Sequence, residues 1–293
     1  MNATLELSFD PMLAMGGVSL RWDALALVVV LLVSIGVWVL RLRDELGDAL
    51  RFEDVWFVLL AAIPGAVVGG RLFHVLDYAD SYLAAPLTTL DLGHGSSSLV
   101  GAVIGGALSA AYICRLLGGS IGLWADAAAV PMLLAIGLGK LAIMLGGAGQ
   151  GLASDGPMAV SFTGPGPWRS IDAADPAWPS QALEGLWALL GIPVVLALER
   201  LVARKGRAGR GIVLLVGLAW WLAGRAAVAL TWKDDRILGP WGPEATVTLV
   251  ALGVTLVALA LTWRTPAVDG SPEPTAPHQT ASGGPGPIGT AGR

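Results

Sequence analysis

The sequence has few of the residues that form disulfides, metal sites and charged surfaces. Its single cysteine, Cys114, excludes an intrachain disulfide and is expected to be a small buried residue. The three histidines have no metal-ligand spacing, so no metal site is predicted. Charged residues make up only 14% of the chain, against about 25% in soluble domains. A soluble globular fold is therefore excluded.

Soluble catalytic signatures are also absent. The pair Gly139-Lys140 does not belong to a Walker A motif, because Leu134 precedes the glycine by five residues and Leu141 follows the lysine. The patterns G-x-S-x-G, H-E-x-x-H and C-x-x-C do not occur. We therefore expect no cofactor, no metal ion and no nucleic acid as a partner.

Long apolar runs dominate the chain, which is 55% hydrophobic. Runs long enough to cross a bilayer, or nearly so, predict seven membrane helices at residues 24–40, 55–70, 97–114, 127–147, 182–198, 211–231 and 245–263. No run alternates as a membrane barrel strand does. The predicted fold is an all-α polytopic bundle over residues 1–264, followed by a disordered tail at 265–293 that is rich in Pro, Gly, Ser and Thr.

The distribution of positive charge predicts how the bundle is oriented. Most of the 18 Lys and Arg residues fall in segments that are cytoplasmic if the N-terminus lies outside. The sequence therefore predicts an outer N-terminus and a cytoplasmic C-terminus. The segment before the first run, with Pro11 and a Gly-Gly turn, is predicted to form an interfacial hairpin on the outer surface.

Lys140 lies within the fourth apolar run. At the helical rise it sits roughly 20 Å into a hydrocarbon core about 30 Å thick. A charge at that depth costs about 2.5–3.5 kcal/mol, so Lys140 is not expected to face lipid. It either snorkels or pairs without a further role, or points into a polar cavity that binds an anion. Nearby glycines suit close helix packing and a ligand cradle equally, and they are Gly137, Gly139, Gly146, Gly147, Gly149 and Gly151.

Two more charged residues are predicted near the same side of the membrane. Glu184 begins the fifth run and is a candidate partner for Lys140 or a proton acceptor, and Arg225 lies several residues inside the sixth run. The loop at about 148–181 is too long for a simple turn, which favours a lid or a binding element. Arg71, after the second run, either binds a phosphate or anchors a helix end.

The order of these pieces resembles the bacterial prolipoprotein diacylglyceryl transferases, from about Phe9 to Trp263. The segments that carry the resemblance are FDP, VSLRWDALAL, GGRLFHVLDY, SSSLVGAVIGG, LAIGLGKLAIMLGGAGQG, WPSQALEG and GLAWWLAGRAAVALTWKDD. The resemblance implies a seven-span enzyme of the bacterial inner membrane. Such an enzyme transfers diacylglycerol from phosphatidylglycerol to the cysteine thiol of a prolipoprotein lipobox and releases glycerol phosphate.

The chain departs from the family pattern at several polar positions. Lys140 stands where the family has arginine, and Ile143 replaces the asparagine of the same motif. Val100 takes the place of a functionally important histidine in the third span. Two glutamates, eight residues after the span-four arginine and four residues after the sixth-span arginine, are Ala148 and Ala229 here.

The resemblance also implies which residues form the site. Arg225 matches the essential arginine of the sixth span, and with Lys140 it is the predicted catalytic pair. The predicted residues for binding the phospholipid headgroup are Lys140, Arg225, Ser180, Gln181 and Glu184. With the family histidine absent, the base is one of His74, His94 and Glu184. Two alternatives are a catalytically impaired member that binds phospholipid or regulates a partner, and a small-solute transporter, which the lack of an evident inverted repeat disfavours.

Overall fold

The computed structural model describes residues 4–84, 86–90 and 97–264. His94 and the predicted disordered tail at 265–293 lie outside these residues. Seven helices within them are long and apolar enough to cross a membrane, which confirms the predicted number. They are α1 (Trp22–Leu46), α2 (Phe52–Asp77), α4 (Leu99–Leu116), α5 (Ile121–Met144), α6 (Ser180–Arg204), α7 (Ile212–Val228) and α8 (Pro243–Arg264). A short helix, α3 (Ala79–Ala84), follows α2.

Four short strands correct the all-α prediction. They are β1 (Leu5–Ser8), β2 (Met12–Met15), β3 (Val18–Arg21) and β4 (Val160–Thr163). Strands β2 and β3 pair antiparallel, so the hairpin predicted before α1 is confirmed. Strand β1 pairs in parallel with β4, beginning with Leu5 opposite Val160. Runs of four residues carry too little periodicity to be recognised, and β1 has its partner far along the chain.

Glycine faces join α2 and α4. Gly65 and Gly69 on α2 lie against Gly101 and Gly105 on α4, and a Cβ atom at Gly69 would come within 2.8 Å of the Gly105 Cα. Both Gly-x-x-x-Gly patterns therefore lie in one close helix crossing, because only a residue without a side chain lets the backbones approach so far.

Helix α5 occupies the centre of the bundle. It packs against α1, α6 and α7, while α7 also packs against α8. The main apolar core is formed by buried residues of α4 to α7, including Val100, Leu133, Val195 and Trp221. This arrangement places the polar residues of α5, α6 and α7 next to one another.

The bundle has two ends that matter for function. The site end contains the four strands, the last turns of α5 and α7, and the first turns of α6 and α8. The far end contains the first turns of α5 and α7 and the last turns of α6 and α8. Asp126, near the start of α5, accepts hydrogen bonds from Gly211 and Val213 at the start of α7, which confirms that these helices run side by side in the same direction.

Candidate functional site

A fully buried carboxylate, Glu184, lies at the centre of an ion network at the site end. The Lys140 Nζ atom is 2.9 Å from Glu184 Oε2. Arg225 Nη1 donates to both carboxylate oxygens, at 2.8 and 2.9 Å. Trp221 Nε1 donates to Oε1 at 3.1 Å. The structure thus brings the two predicted catalytic cations together on one carboxylate, with each charged group supplied by a different helix.

Glycines allow α5 and α6 to meet beside this network. A Cβ atom at Gly185 would lie 2.8 Å from the Gly137 carbonyl oxygen and 3.2 Å from Lys140 Cβ. The backbones are therefore close enough for the lysine of α5 to reach the glutamate of α6. Gly137 takes part in helix packing, and Gly149 lies against the Gln181 side chain.

Arg225 also contacts a second carboxylate and an aromatic ring. Its Nη2 group donates to Glu244 Oε1 at the start of α8. Its Cζ atom lies 4.6 Å from the centre of the Trp232 ring, a cation-π contact. The Nε atom is buried and has no hydrogen-bond partner within the described part of the chain. Arg225 therefore keeps one unused donor in a buried position.

The network is electrically neutral in this state. Two cations, Lys140 and Arg225, face two carboxylates, Glu184 and Glu244. The four groups differ in access to solvent, because the Glu244 side chain is 25% exposed while those of Arg225 and Glu184 are 2% and 1% exposed. An incoming anion can therefore reach Arg225 most readily by displacing Glu244.

Acidic residues form the rim of the network near Glu244. Asp77 ends α2, and its Oδ2 atom is buried without a hydrogen-bond partner among the described residues. Burial raises the pKa of the Asp234 carboxyl, and the neighbouring Glu244 charge raises it further. Burial, followed by the charges of Asp234 and Glu244, raises the pKa of Tyr78 to about 12. The rim is thus a place where a proton is held readily.

The other predicted headgroup ligands lie beside the network. The hydroxyl groups of Ser180 and Thr231 are 2.6 Å apart, which ties the start of α6 to the turn after α7. Gln181 packs against Gly149, and its Oε1 atom is buried without a partner among the described residues. The structure shows no contact of either side chain with Lys140 or Arg225.

Two of the four apolar replacements of family residues, Val100 and Ala229, are buried, while Ile143 and Ala148 are partly buried. Val100 is buried in the main core with Ala129 and Leu133. Ala229 is also buried, one turn after Arg225, and that arginine pairs instead with carboxylates of two other helices, Glu184 and Glu244. The contact with Glu244 is not predictable from the sequence, because the distance between Glu244 and Arg225 along the chain matches no helical spacing.

Arg71 binds backbone atoms of the segment that follows α3. Its Nε atom donates to the Thr89 carbonyl at 2.9 Å, and its guanidinium lies 5.2 Å from the centre of the Tyr82 ring. The structure thus shows Arg71 holding this segment, and both roles that the sequence allows, phosphate binding and the anchoring of a helix end, stay predictions. His74 lies against Tyr78, with ring centres 4.7 Å apart.

A second ion cluster at the site end, which the sequence does not predict, is centred on Asp23. Asp23, fully buried at the start of α1, accepts from Arg21 Nε at 2.9 Å and from Arg169 Nε at 2.6 Å. Arg21 also donates to the carbonyl oxygens of Gly146 and Pro167. This cluster fixes the loop after α5 against the start of α1.

Fold and site together define a multi-pass membrane protein with a buried ion network at one end of its helical bundle. A family model described as prolipoprotein diacylglyceryl transferase matches residues 11–264. The chain belongs to this family of transferases, as the sequence resemblance predicted.

Similar proteins support the assignment over most of the chain. A Frankia alni protein is 32% identical over 88% of this chain and 67% of its own length. A Rhodospirillum rubrum protein is 32% identical over 85% of this chain and 86% of its own length. A Geobacter sulfurreducens protein is 28% identical over 84% of this chain and 91% of its own length. All three carry the name phosphatidylglycerol–prolipoprotein diacylglyceryl transferase.

Proposed function

We propose that this protein transfers the diacylglyceryl group of phosphatidylglycerol to the lipobox cysteine thiol of a prolipoprotein. It does so in the inner membrane of a bacterium, with the site end and the N-terminus outside and the C-terminus in the cytoplasm. Family membership supports the reaction class. The observation that carries the proposal is the convergence of Lys140 and Arg225 on Glu184, at 2.8–2.9 Å, inside the bundle.

The chemistry explains why two cations are needed. The cysteine thiolate attacks the glyceryl carbon that bears the phosphate, so a C–S bond forms while the C–O bond breaks. The electron pair of the broken bond leaves with the phosphate oxygen, and glycerol phosphate departs with one more negative charge than the phosphodiester had. Positive groups held in a low-dielectric site stabilise that developing charge most strongly.

Lys140 and Arg225 are the groups that bind the phosphate in this proposal. The phosphate displaces Glu244 from Arg225, because Glu244 is the more exposed of the two carboxylates on the guanidinium. Glu184 stays in place and holds the cations at a fixed separation. Lysine offers a point charge without the two-pronged geometry of arginine, so Lys140 supplies charge and Arg225 supplies orientation.

We propose that the displaced Glu244 takes the proton of the thiol. Glu184 is a poor base, since three side chains already donate to it. His74 is enclosed by the rings of Tyr78 and Tyr82. A carboxylate released from Arg225 no longer accepts from the guanidinium and is therefore available to accept the thiol proton.

Gln181 and Ser180 complete the proposed site in different ways. The free Gln181 Oε1 atom is available to a hydroxyl group of the glycerol headgroup. The Ser180 hydroxyl is engaged by Thr231 and supports the site by fixing the first turn of α6, four residues before Glu184.

The proposal is tested with purified protein in vesicles that contain phosphatidylglycerol and a lipobox peptide. Mass spectrometry of the peptide is expected to show addition of a diacylglyceryl group. Glu244→Gln should lower the rate by about 10²-fold or more, the usual contribution of a general base. Glu53→Gln, an exposed surface acid on α2, is the matched control and should transfer normally. Folded protein that leaves the peptide unmodified would overturn the enzymatic proposal and favour a lipid-binding role.

A further inference from the structure

A shallow groove lies between α7 and α8 at the far end of the bundle. It has a volume of about 340 Å³ and is lined by Val216, Leu256, Leu259, Ala260, Trp263 and Arg264. All of these side chains are apolar or aromatic except for the arginine at one end. In a protein that crosses a membrane, such a groove lies open to the acyl chains of one leaflet.

Basic side chains surround the end of the groove at Trp263. Lys205 Nζ lies 5.6 Å from the centre of the Trp263 ring, and Arg207 Cζ lies 5.2 Å from it. Arg207 also donates to the Trp263 carbonyl oxygen. Arg264 lines the groove itself. Three cations from two segments of the chain therefore lie around one tryptophan.

This part of the far end carries an excess of positive charge. The sequence has no acidic residue at 200–210 or at 245–264. Two acids of the same end are engaged elsewhere, because Glu199 pairs with Arg41 and Asp126 accepts from the backbone of α7. Nothing in the described residues around Trp263 neutralises Lys205 and Arg264 as Glu184 neutralises Lys140.

We propose that this groove binds an anionic phospholipid from the leaflet at the far end. An acyl chain lies against Val216 and Leu256, and the phosphate contacts Lys205 and Arg264. Basic pockets between membrane helices recognise acidic headgroups in this way, while tryptophan prefers the level of the headgroups. The apolar part of the groove suits an acyl chain, and the cations at its end suit a negatively charged headgroup.

The proposed lipid site is separate from the transfer site. Val216 precedes Arg225 by nine residues on α7, which is roughly 14 Å along the helix. Trp263 follows Glu244 by nineteen residues on α8, roughly 28 Å. The two sites therefore face opposite leaflets, and the lipid site does not depend on the proposed reaction.

Quenching of Trp263 fluorescence by brominated lipid tests this site. The protein and its Trp263→Phe variant are placed in phosphatidylcholine vesicles with the bromine either on phosphatidylserine or on an equal amount of phosphatidylcholine. The difference between the two proteins isolates Trp263 from the other tryptophans of the chain, which has 12 in all. We expect phosphatidylserine to be enriched beside Trp263 by about five-fold or more, because each basic residue near an anionic lipid contributes about 1 kcal/mol.

Variants decide whether the groove itself selects the lipid. The double change Lys205→Gln and Arg264→Gln should abolish the enrichment, while Arg51→Gln, an exposed cation at the same end, should keep it. Thermal unfolding of each variant establishes that it is folded. Equal quenching by the two lipids would overturn the proposal, and so would a preference that survives the double change. Phosphatidylserine is not the donor proposed for transfer, so either result leaves that proposal untouched.

Discussion

Glu184 is the residue on which the ion network depends. Lys140, Arg225 and Trp221 all donate to it, and the two cations have no other shared carboxylate among the described residues. Burying two positive charges side by side is unfavourable unless a negative charge lies between them. The network therefore exists only as a unit.

We predict that Glu184→Gln destabilises the protein strongly. The change removes the charge but not the volume, and it leaves two buried cations to repel each other. Breaking a buried ion pair in this way costs about 3–5 kcal/mol. Chemical unfolding in detergent measures the loss. Glu199→Gln, at a partly exposed pair with Arg41, should cost about 1 kcal/mol or less, and an equal cost at both positions would contradict the central place of Glu184.

Val100 gives a second test at the level of one residue. Restoring the family histidine there, Val100→His, is expected to destabilise the protein and not to raise transfer, since Leu133 and Ile136 surround an apolar position. A buried imidazole without partners costs about 1–3 kcal/mol. Val100→Met introduces an apolar side chain about as large as histidine, so it separates the effect of polarity from that of volume. A gain of activity in Val100→His would show that the core accommodates the base.

The sequence predicted part of this network. A charge deep in an apolar run needs a partner, so the sequence predicts a partner for Lys140 and offers Glu184 as a candidate. The structure confirms this pair. The contacts of Arg225 with Glu244 and Trp232 were not predicted. They join residues with no helical spacing between them, and a single sequence does not show which helices pack together.

At the scale of elements, α7 begins with a cap supplied by another helix. Gly211 precedes the helix and has no side chain to accept its first N–H groups. Asp126 of α5 takes that role and accepts from Gly211, Val213 and Leu214 at 2.8–3.2 Å. Three backbone N–H groups at the start of α7 are therefore satisfied by protein rather than by water.

We predict that Asp126→Ala lowers the stability of the protein by about 1–3 kcal/mol, because three backbone donors lose their acceptor in a buried position. Thermal unfolding measures the change. Asp126→Asn keeps one acceptor oxygen, so its stability should lie between that of Asp126→Ala and that of the wild type. Asp48→Ala, an exposed acid at the same end, serves as control. Equal stability of Asp126→Ala and the control would refute the cap.

The same aspartate explains why one helix boundary was predicted wrongly. The apolar pattern predicts that the fourth membrane helix begins at residue 127, after Asp126, whereas α5 begins at Ile121. A carboxylate usually ends an apolar run. Asp126 instead remains inside the bundle, because it accepts hydrogen bonds from backbone N–H groups of α7. Helix α1 likewise continues to Leu46, beyond the apolar part, because a charged sequence is still a good helix former where it reaches water.

For the whole molecule, the sequence predicted the number of membrane helices and the family, and it predicted an orientation that remains to be measured. The length of an apolar run and the distribution of positive charge each depend on many residues. A single unusual residue therefore does not change the prediction of helix number or orientation. The small sheets at the site end escaped notice because β1 and β4 depend on contacts between distant segments.

The orientation is tested with single cysteines in a Cys114→Ser background. Ile171 is a fully exposed residue of the loop between α5 and α6 at the site end, and Asp48 is an exposed residue of the turn after α1 at the far end, so each is replaced by cysteine. A membrane-impermeant thiol reagent should label Ile171→Cys in intact cells and Asp48→Cys only after the cells are permeabilised. The reverse pattern would invert the proposed topology and move the transfer site to the cytoplasmic side.

The most direct measurement compares transfer rates of the wild type, Lys140→Ala, Arg225→Ala and the double variant in phosphatidylglycerol vesicles. Because both cations bind the same phosphate and one carboxylate, Glu184, holds them in position, each single change should lower the rate by about 10²-fold or more. The rate lost in the double variant should be much smaller than the product of the two single losses, as is found for groups that act as a unit. A folded single variant that transfers at the wild-type rate would contradict the account.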